Sequence, residues 1–89
     1  MLQARVYISG RVQGIGYRYF VKSWARTYRI AGWVRNLPDG GVEGVFQGER
    51  SGIENLIVKC KDGPFLAEVK DVEVKWEEAK EEFGDFKVN

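Results

Sequence analysis

Apolar and polar residues alternate at the start of the chain. Leu2, Ala4, Val6 and Ile8 face one way and Gln3, Arg5, Tyr7 and Ser9 the other, a period of two that predicts a strand with one buried face. From about Arg18 to Tyr28 the period lengthens. Tyr17, Phe20, Val21, Trp24, Ala25 and Tyr28 then form a helical stripe opposite Lys22 and Arg26. After Gly32, the run Trp33-Val34-Arg35-Asn36, a Pro38-Asp39-Gly40-Gly41 turn and Val42 to Gln47 predict a hairpin. Ser51-Gly52-Ile53-Glu54 has capping-box spacing. Ile53, Leu56, Ile57 and Cys60 follow at i, i+3, i+4 and i+7 until Gly63 offers a stop, which predicts a second helix with Cys60 as a small core residue. Val72, Val74 and Trp76 alternate with Glu73, Lys75 and Glu77, and Phe86 and Val88 mark a short last strand. The phase slips near Asp71, which calls for a bulge or a late strand start. The order βαββαβ(β) predicts an α+β sandwich with two helices on one face of an antiparallel sheet of four to five strands.

At 89 residues the chain supports a single domain, 1–89, with one modest core. No apolar run approaches the ~20 residues of a membrane span, and the first residues lack the pattern of a secretory signal, so the expectation is a cytoplasmic monomer without membrane contact. Histidine is absent, which removes Ser-His and Cys-His nucleophile pairs and nearly every transition-metal site. The one cysteine cannot form an internal disulfide, and Ser9, Ser23, Ser51 and Thr27 are the only aliphatic hydroxyls. Chemistry must therefore come from arginine, backbone, amides, carboxylates or water, with no metal and no cofactor.

Net charge is only +1, but it is unevenly spread. Residues 1–40 hold Arg5, Arg11, Arg18, Lys22, Arg26, Arg29 and Arg35 against Asp39 alone, while residues 41–89 hold seven bases and twelve acids. An arginine-rich half suits phosphate or carboxylate, which a guanidinium grips with two prongs. A solvated surface balanced by acids elsewhere is the plainer alternative. Between the first strand and the first helix runs Gly10-Arg11-Val12-Gln13-Gly14-Ile15-Gly16-Tyr17-Arg18, with three glycines and no acid. Glycines allow successive N–H groups to converge, and the following helix adds unpaired donors and a partial positive charge. Such a turn can also be merely tight, and it has neither the Lys-Ser/Thr ending of nucleotide loops nor the dinucleotide fingerprint. Asn36, beside the hairpin turn, can be read as an Asx-turn former.

The string from Gly10 to Arg18 resembles the first signature of the acylphosphatase family, Gly-x-Val-Gln-Gly-Val-x-Phe/Tyr-Arg, departing only at Ile15. Gly32-Trp33-Val34-Arg35-Asn36 with Gly40, Val42 and Gly48 is similar to its second, Gly-x-aromatic-Val-x-Asn-x₃-Gly-x-Val-x₅-Gly. The resemblance implies a free-standing domain with a ferredoxin-like βαββαβ fold. It further implies metal-free hydrolysis of carboxyl-phosphate anhydrides without a covalent intermediate. Arg18 is then the phosphate-binding arginine and Asn36 the water-orienting residue. The backbone amides of Arg11, Val12, Gln13, Gly14, Ile15, Gly16 and Tyr17 complete the substrate cradle. The implied ligands are an acyl phosphate and inorganic phosphate.

The chemistry agrees with the composition. An acyl phosphate expels a carboxylate of pKa about 4, which leaves without protonation, whereas an alkyl phosphate needs a metal, acid or nucleophile. Two other classes stay open. An RNA-binding module of similar topology would stack bases on sheet aromatics, but no segment matches its Lys/Arg-Gly-Phe/Tyr-Gly/Ala-Phe-Val-x-Phe/Tyr signature. A non-catalytic anion-binding module would need Arg18 but not Asn36.

Overall fold

The computed structural model describes residues 1–89. Five strands and two helices follow one another as β1 (Leu2–Arg11), α1 (Tyr17–Thr27), β2 (Ala31–Asn36), β3 (Val42–Gln47), α2 (Arg50–Asp62), β4 (Glu68–Glu78) and β5 (Phe86–Val88). The strands form one sheet in the order β4-β1-β3-β2-β5. The alternation of β1 does what its period requires: Ala4, Val6 and Ile8 point to the buried face, opposite Phe46, Gly44 and Val42 of β3. Val34 and Phe86 extend that face, and Val21 and Ala25 of α1 with Ile53, Leu56, Ile57 and Cys60 of α2 close over it. Fully burying each such aliphatic or aromatic side chain is worth roughly 1.5–3 kcal/mol, so this one layer is the main source of stability. No helix is long and apolar enough to cross a membrane.

Three local expectations change, and the phase slip near Asp71 resolves as one of its two alternatives. The sheet is mixed: β5 runs parallel to β2, pairing Gly32 with Phe86 and Val34 with Val88, because the 79–85 segment carries the chain across the sheet to the far edge of β2. The first helix begins at Tyr17, one residue early, with Gly16 as its N-cap. The second begins at Arg50 after Glu49, with no side-chain cap, so Ser51 lies inside the first turn and the capping box does not form. Packing overrides it. Arg50 stacks 4.3 Å over the Trp76 ring, and Gly52 lies so near the Tyr28 carbonyl and Ile30 that a Cβ there would stand 3.0 Å from the oxygen. Lastly, the phase slip near Asp71 is a bulge within a longer strand. Ser9 pairs with Asp71 and Gly10 with Val69, leaving Lys70 without a counterpart.

The other sheet face is polar and satisfied. Glu43, 3% exposed, accepts from Arg5 Nη1 at 3.1 Å and from Arg35 Nε at 2.8 Å. Arg5 Nε and Gln3 Nε2 both donate to Glu77 Oε1, at 3.1 and 2.6 Å, and Gln47 Nε2 donates to Gln3 Oε1 at 2.9 Å. Trp33 lies on this face between the Arg35 and Arg5 guanidinium groups, 5.3 and 5.9 Å from its ring centre.

Candidate active site

The turn from β1 into α1 is anchored from below by its apolar residues. Val12 and Tyr17 are each 1% exposed and Ile15 packs on the core, while Gly14 and Gly16 face outward. Both glycines take left-handed backbone conformations, φ 77° and 78°, and a Cβ at either would meet nothing within 4 Å. The glycines thus serve the loop's curvature and leave open space above it. None of the backbone N–H groups from Val12 through Tyr19 donates to an acceptor within the protein. The first helical turn holds no acid and no side-chain cap, so the positive end of α1 is not neutralised. Unpaired donors and an uncapped helix end together form a cradle suited to an anion.

Side chains brace the cradle from three sides. Gln13 Nε2 donates to the carbonyls of Leu37 and Gly41, at 2.8 and 2.7 Å, tying the loop to the β2–β3 turn beside Asn36. The Tyr17 hydroxyl donates to the Cys60 carbonyl at 2.7 Å, which locks the start of α1 to the end of α2. Burial pushes the Tyr17 phenol far above its ordinary range and the Cys60 thiol up to about 12, so neither titrates near neutrality. Cys60 is a core residue, as its place in the helical stripe predicts. Arg11 closes β1 opposite Glu68 and forms an exposed ion pair with it at 2.6 Å. Its guanidinium is thus committed to the edge of the cradle, and its expected contribution there is a backbone one.

Arg18 sits in the first turn of α1, half-buried, and its Nη1 donates to the main-chain oxygen of Asn89 at 2.6 Å. Asn89 in turn donates its N–H to the Val34 carbonyl at 2.9 Å, two residues before Asn36. Through this relay and the Gln13 brace, the structure brings Arg18, the 11–17 loop and the end of β2 to one end of the sheet. Arg18 pairs with no Asp or Glu side chain, unlike Arg5, Arg11 and Arg35. Asn36 is exposed at the end of β2, and its side chain takes no part in the turn. Leu37 N–H to Gly41 O at 2.8 Å and Gly41 N–H to Asp39 Oδ1 at 2.8 Å close that turn, so the Asx role belongs to Asp39. Sequence reasoning had no means of finding the Gln13 side-chain brace or the Asn89 contact. Their partners are distant in the chain, and the only available signal was a long amide inside a glycine-rich loop.

The family model for Acylphosphatase matches residues 4–88. The chain is 46% identical over 88 residues to an acylphosphatase of Roseiflexus sp. (strain RS-1), covering 99% of this chain and 95% of that one. Its fold superposes on a crystal structure of acylphosphatase from Bacillus subtilis with a TM-score of 0.96, at 36% identity and with 100% and 99% of the two chains covered. It is also similar to part of full-length HypF, crystallised in a phosphate- and nucleotide-bound form, with TM-score 0.84, 34% identity and all of this chain covered against 12% of that one. With its fold, its signature segments and its full-length similarity all in agreement, this chain belongs to the acylphosphatase family.

Proposed function

We propose that the 89 residues act as one unit that hydrolyses acyl phosphates to carboxylate and inorganic phosphate, without a metal and without a covalent intermediate. The observation that carries this reading is the uninterrupted run of unpaired backbone N–H groups from Val12 to Tyr19, which includes Arg18, an arginine with no Asp or Glu side chain paired to it. The amides and the Arg18 guanidinium hold the phosphoryl oxygens and stabilise charge as the loose transition state develops. Asn36 orients the water: its side-chain carbonyl accepts a hydrogen bond from it and its NH₂ is free to donate. The water oxygen forms a new P–O bond while the P–O bond to the acyl group breaks, and the electron pair leaves on the carboxylate. The water's proton passes to the phosphate product. A carboxylate leaving group of pKa about 4 needs no acid, which matches a chain that contains no histidine.

Hydrolysis of a synthetic acyl phosphate, with exhaustive chelation and an alkyl phosphate control, tests the reading. Turnover of the acyl phosphate that survives chelation, with none of the alkyl phosphate, is expected. Chelator-sensitive turnover would refute the metal-free mechanism.

A further inference from the structure

The connection from α2 to β4 carries the most exposed large apolar residue of the chain, Phe65. Gly63 ends α2 by donating to the Lys59 carbonyl at 2.9 Å, and the Ala67 N–H closes a tight turn on the Pro64 carbonyl at 2.9 Å. At the tip of that turn Phe65 is 99% exposed and Leu66 62%. A phenylalanine has no polar atom to satisfy in water, and the fold gains nothing from a ring that touches nothing.

This turn is fastened to the cradle at both ends. A Cβ at Gly63 would lie 3.3 Å from the Tyr17 ring, so the backbone there packs directly on the first residue of α1. At the other end Glu68 is both the ladder partner of Arg11 and its ion-pair partner at 2.6 Å. The tip therefore stands beside the 11–17 loop on its β4 side. Asn36 stands on the other side, on β2, with β1 and β3 between the two in the sheet order β4-β1-β3-β2. Displacement at phosphorus places the attacking and leaving oxygens roughly in line. A water held at Asn36 thus sends the leaving carboxylate away from β2 and toward β4, where the exposed apolar tip lies.

We propose that Phe65 and Leu66 form the subsite for the acyl group and that the substrates this chain favours carry an aromatic or bulky apolar acyl moiety. The proposal rests on the phosphate-hydrolysing reading of the cradle given above. It accounts for two large side chains left in water at a surface turn anchored to the site.

The test compares benzoyl phosphate with acetyl phosphate in the full chain and in Phe65→Ala, Phe65→Leu and Phe65→Ala/Leu66→Ala. Loss of one apolar contact in a binding pocket is worth about 10-fold in discrimination. Phe65→Ala is therefore expected to lower kcat/KM for benzoyl phosphate by about that factor and to leave acetyl phosphate unchanged. The double variant should lose more, and Phe65→Leu should recover most of the activity. Melting temperature and inhibition by inorganic phosphate should not move, because the ring packs on nothing and touches no phosphoryl donor. An equal loss for both substrates, or no loss for either, would overturn the subsite alone. Failure of the unmodified chain to hydrolyse either substrate would overturn the underlying reading together with the subsite.

Discussion

The two arginine-bearing regions of this molecule put the same side chain to opposite uses. On the open face of the sheet Arg5 and Arg35 converge on Glu43, whose side chain is 4% exposed, and Arg5 also reaches Glu77. In the first turn of α1 Arg18 meets only the main-chain oxygen of Asn89, and the amides from Val12 to Tyr19 are unpaired. The open face also carries a cleft of about 330 Å³, lined among others by Gln3, Arg5, Trp33, Glu77 and Phe83. Its one arginine, Arg5, is already paired with Glu77 and with Glu43. A positive half of the sequence is therefore a poor guide to an anion site, because pairing across strands decides which charges remain available. Three of the seven bases in residues 1–40 are taken up by Glu43, Glu68 and Glu77.

The sharpest way to break this contrast is to remove one side chain from each end of the proposed chemistry. Asn36→Ala is expected to lower kcat by about 10²–10³, the roughly 3–4 kcal/mol lost when one preorganised donor goes, with phosphate affinity and melting temperature unchanged. Arg18→Ala should weaken phosphate inhibition and turnover together, since its charge meets the substrate in ground and transition states alike. A lower melting temperature with intact kcat for Asn36→Ala would return Asn36 to a structural role.

On the open face the expected outcome is reversed. Glu43→Ala should destabilise the fold by about 3 kcal/mol, the low end for breaking a buried pair because both arginines keep partial access to water. At temperatures where this variant stays folded, kcat should match that of the unmodified chain. A loss of turnover larger than the loss of folded protein would mean that the two regions are coupled.

The smallest effect is in acid. Burial works against the Glu43 carboxylate, but hydrogen bonds from Arg35 and Arg5 outweigh it and hold its pKa below the ordinary range. Glu77 is lowered in the same direction, chiefly by its hydrogen bond from Gln3. Groups with depressed folded pKa values contribute stability above their unfolded value, about 4.3 for glutamate, and lose it as pH falls through the folded value. Thermal melts from pH 6 downward should thus show a drop beginning near pH 4–5, estimated from the unfolded glutamate value. Glu43→Gln should flatten that limb. An unchanged slope in this variant would show that Glu43 is not the group being titrated.

Much of this was legible from local pattern. The period of two finds Ala4, Val6 and Ile8, and the two helical stripes find Tyr17, Val21, Ala25, Ile53, Leu56, Ile57 and Cys60, all buried in the tertiary structure, while Leu2, Phe20, Trp24 and Tyr28 are only partly buried. The curvature of the 11–17 loop was legible because the need for left-handed backbone is a local property that falls on Gly14 and Gly16 themselves. Less could be read where a residue's partner lies far along the chain. Gln3 and Gln47 sit where alternation assigns polar, outward positions, yet they are 6% and 2% exposed. The 79–85 segment returns over them, bonding Gln47 through the Glu81 carbonyl and the Phe83 N–H.

By itself the sequence determined the two helices, the strand faces, the absence of histidine chemistry and the presence of a glycine-rich turn before an acid-free helix. Each of these follows from side-chain period, backbone freedom or residue inventory within a few positions of the chain. Only the tertiary structure decided the parallel placement of β5, the start of α2 at Arg50, the bracing of the cradle by Gln13 and the neutralisation of Arg5 and Arg35 by Glu43. Those depend on which strands become neighbours. The choice is made by burial of the shared apolar layer, which brings together polar groups whose separation in sequence carries no mark of their meeting.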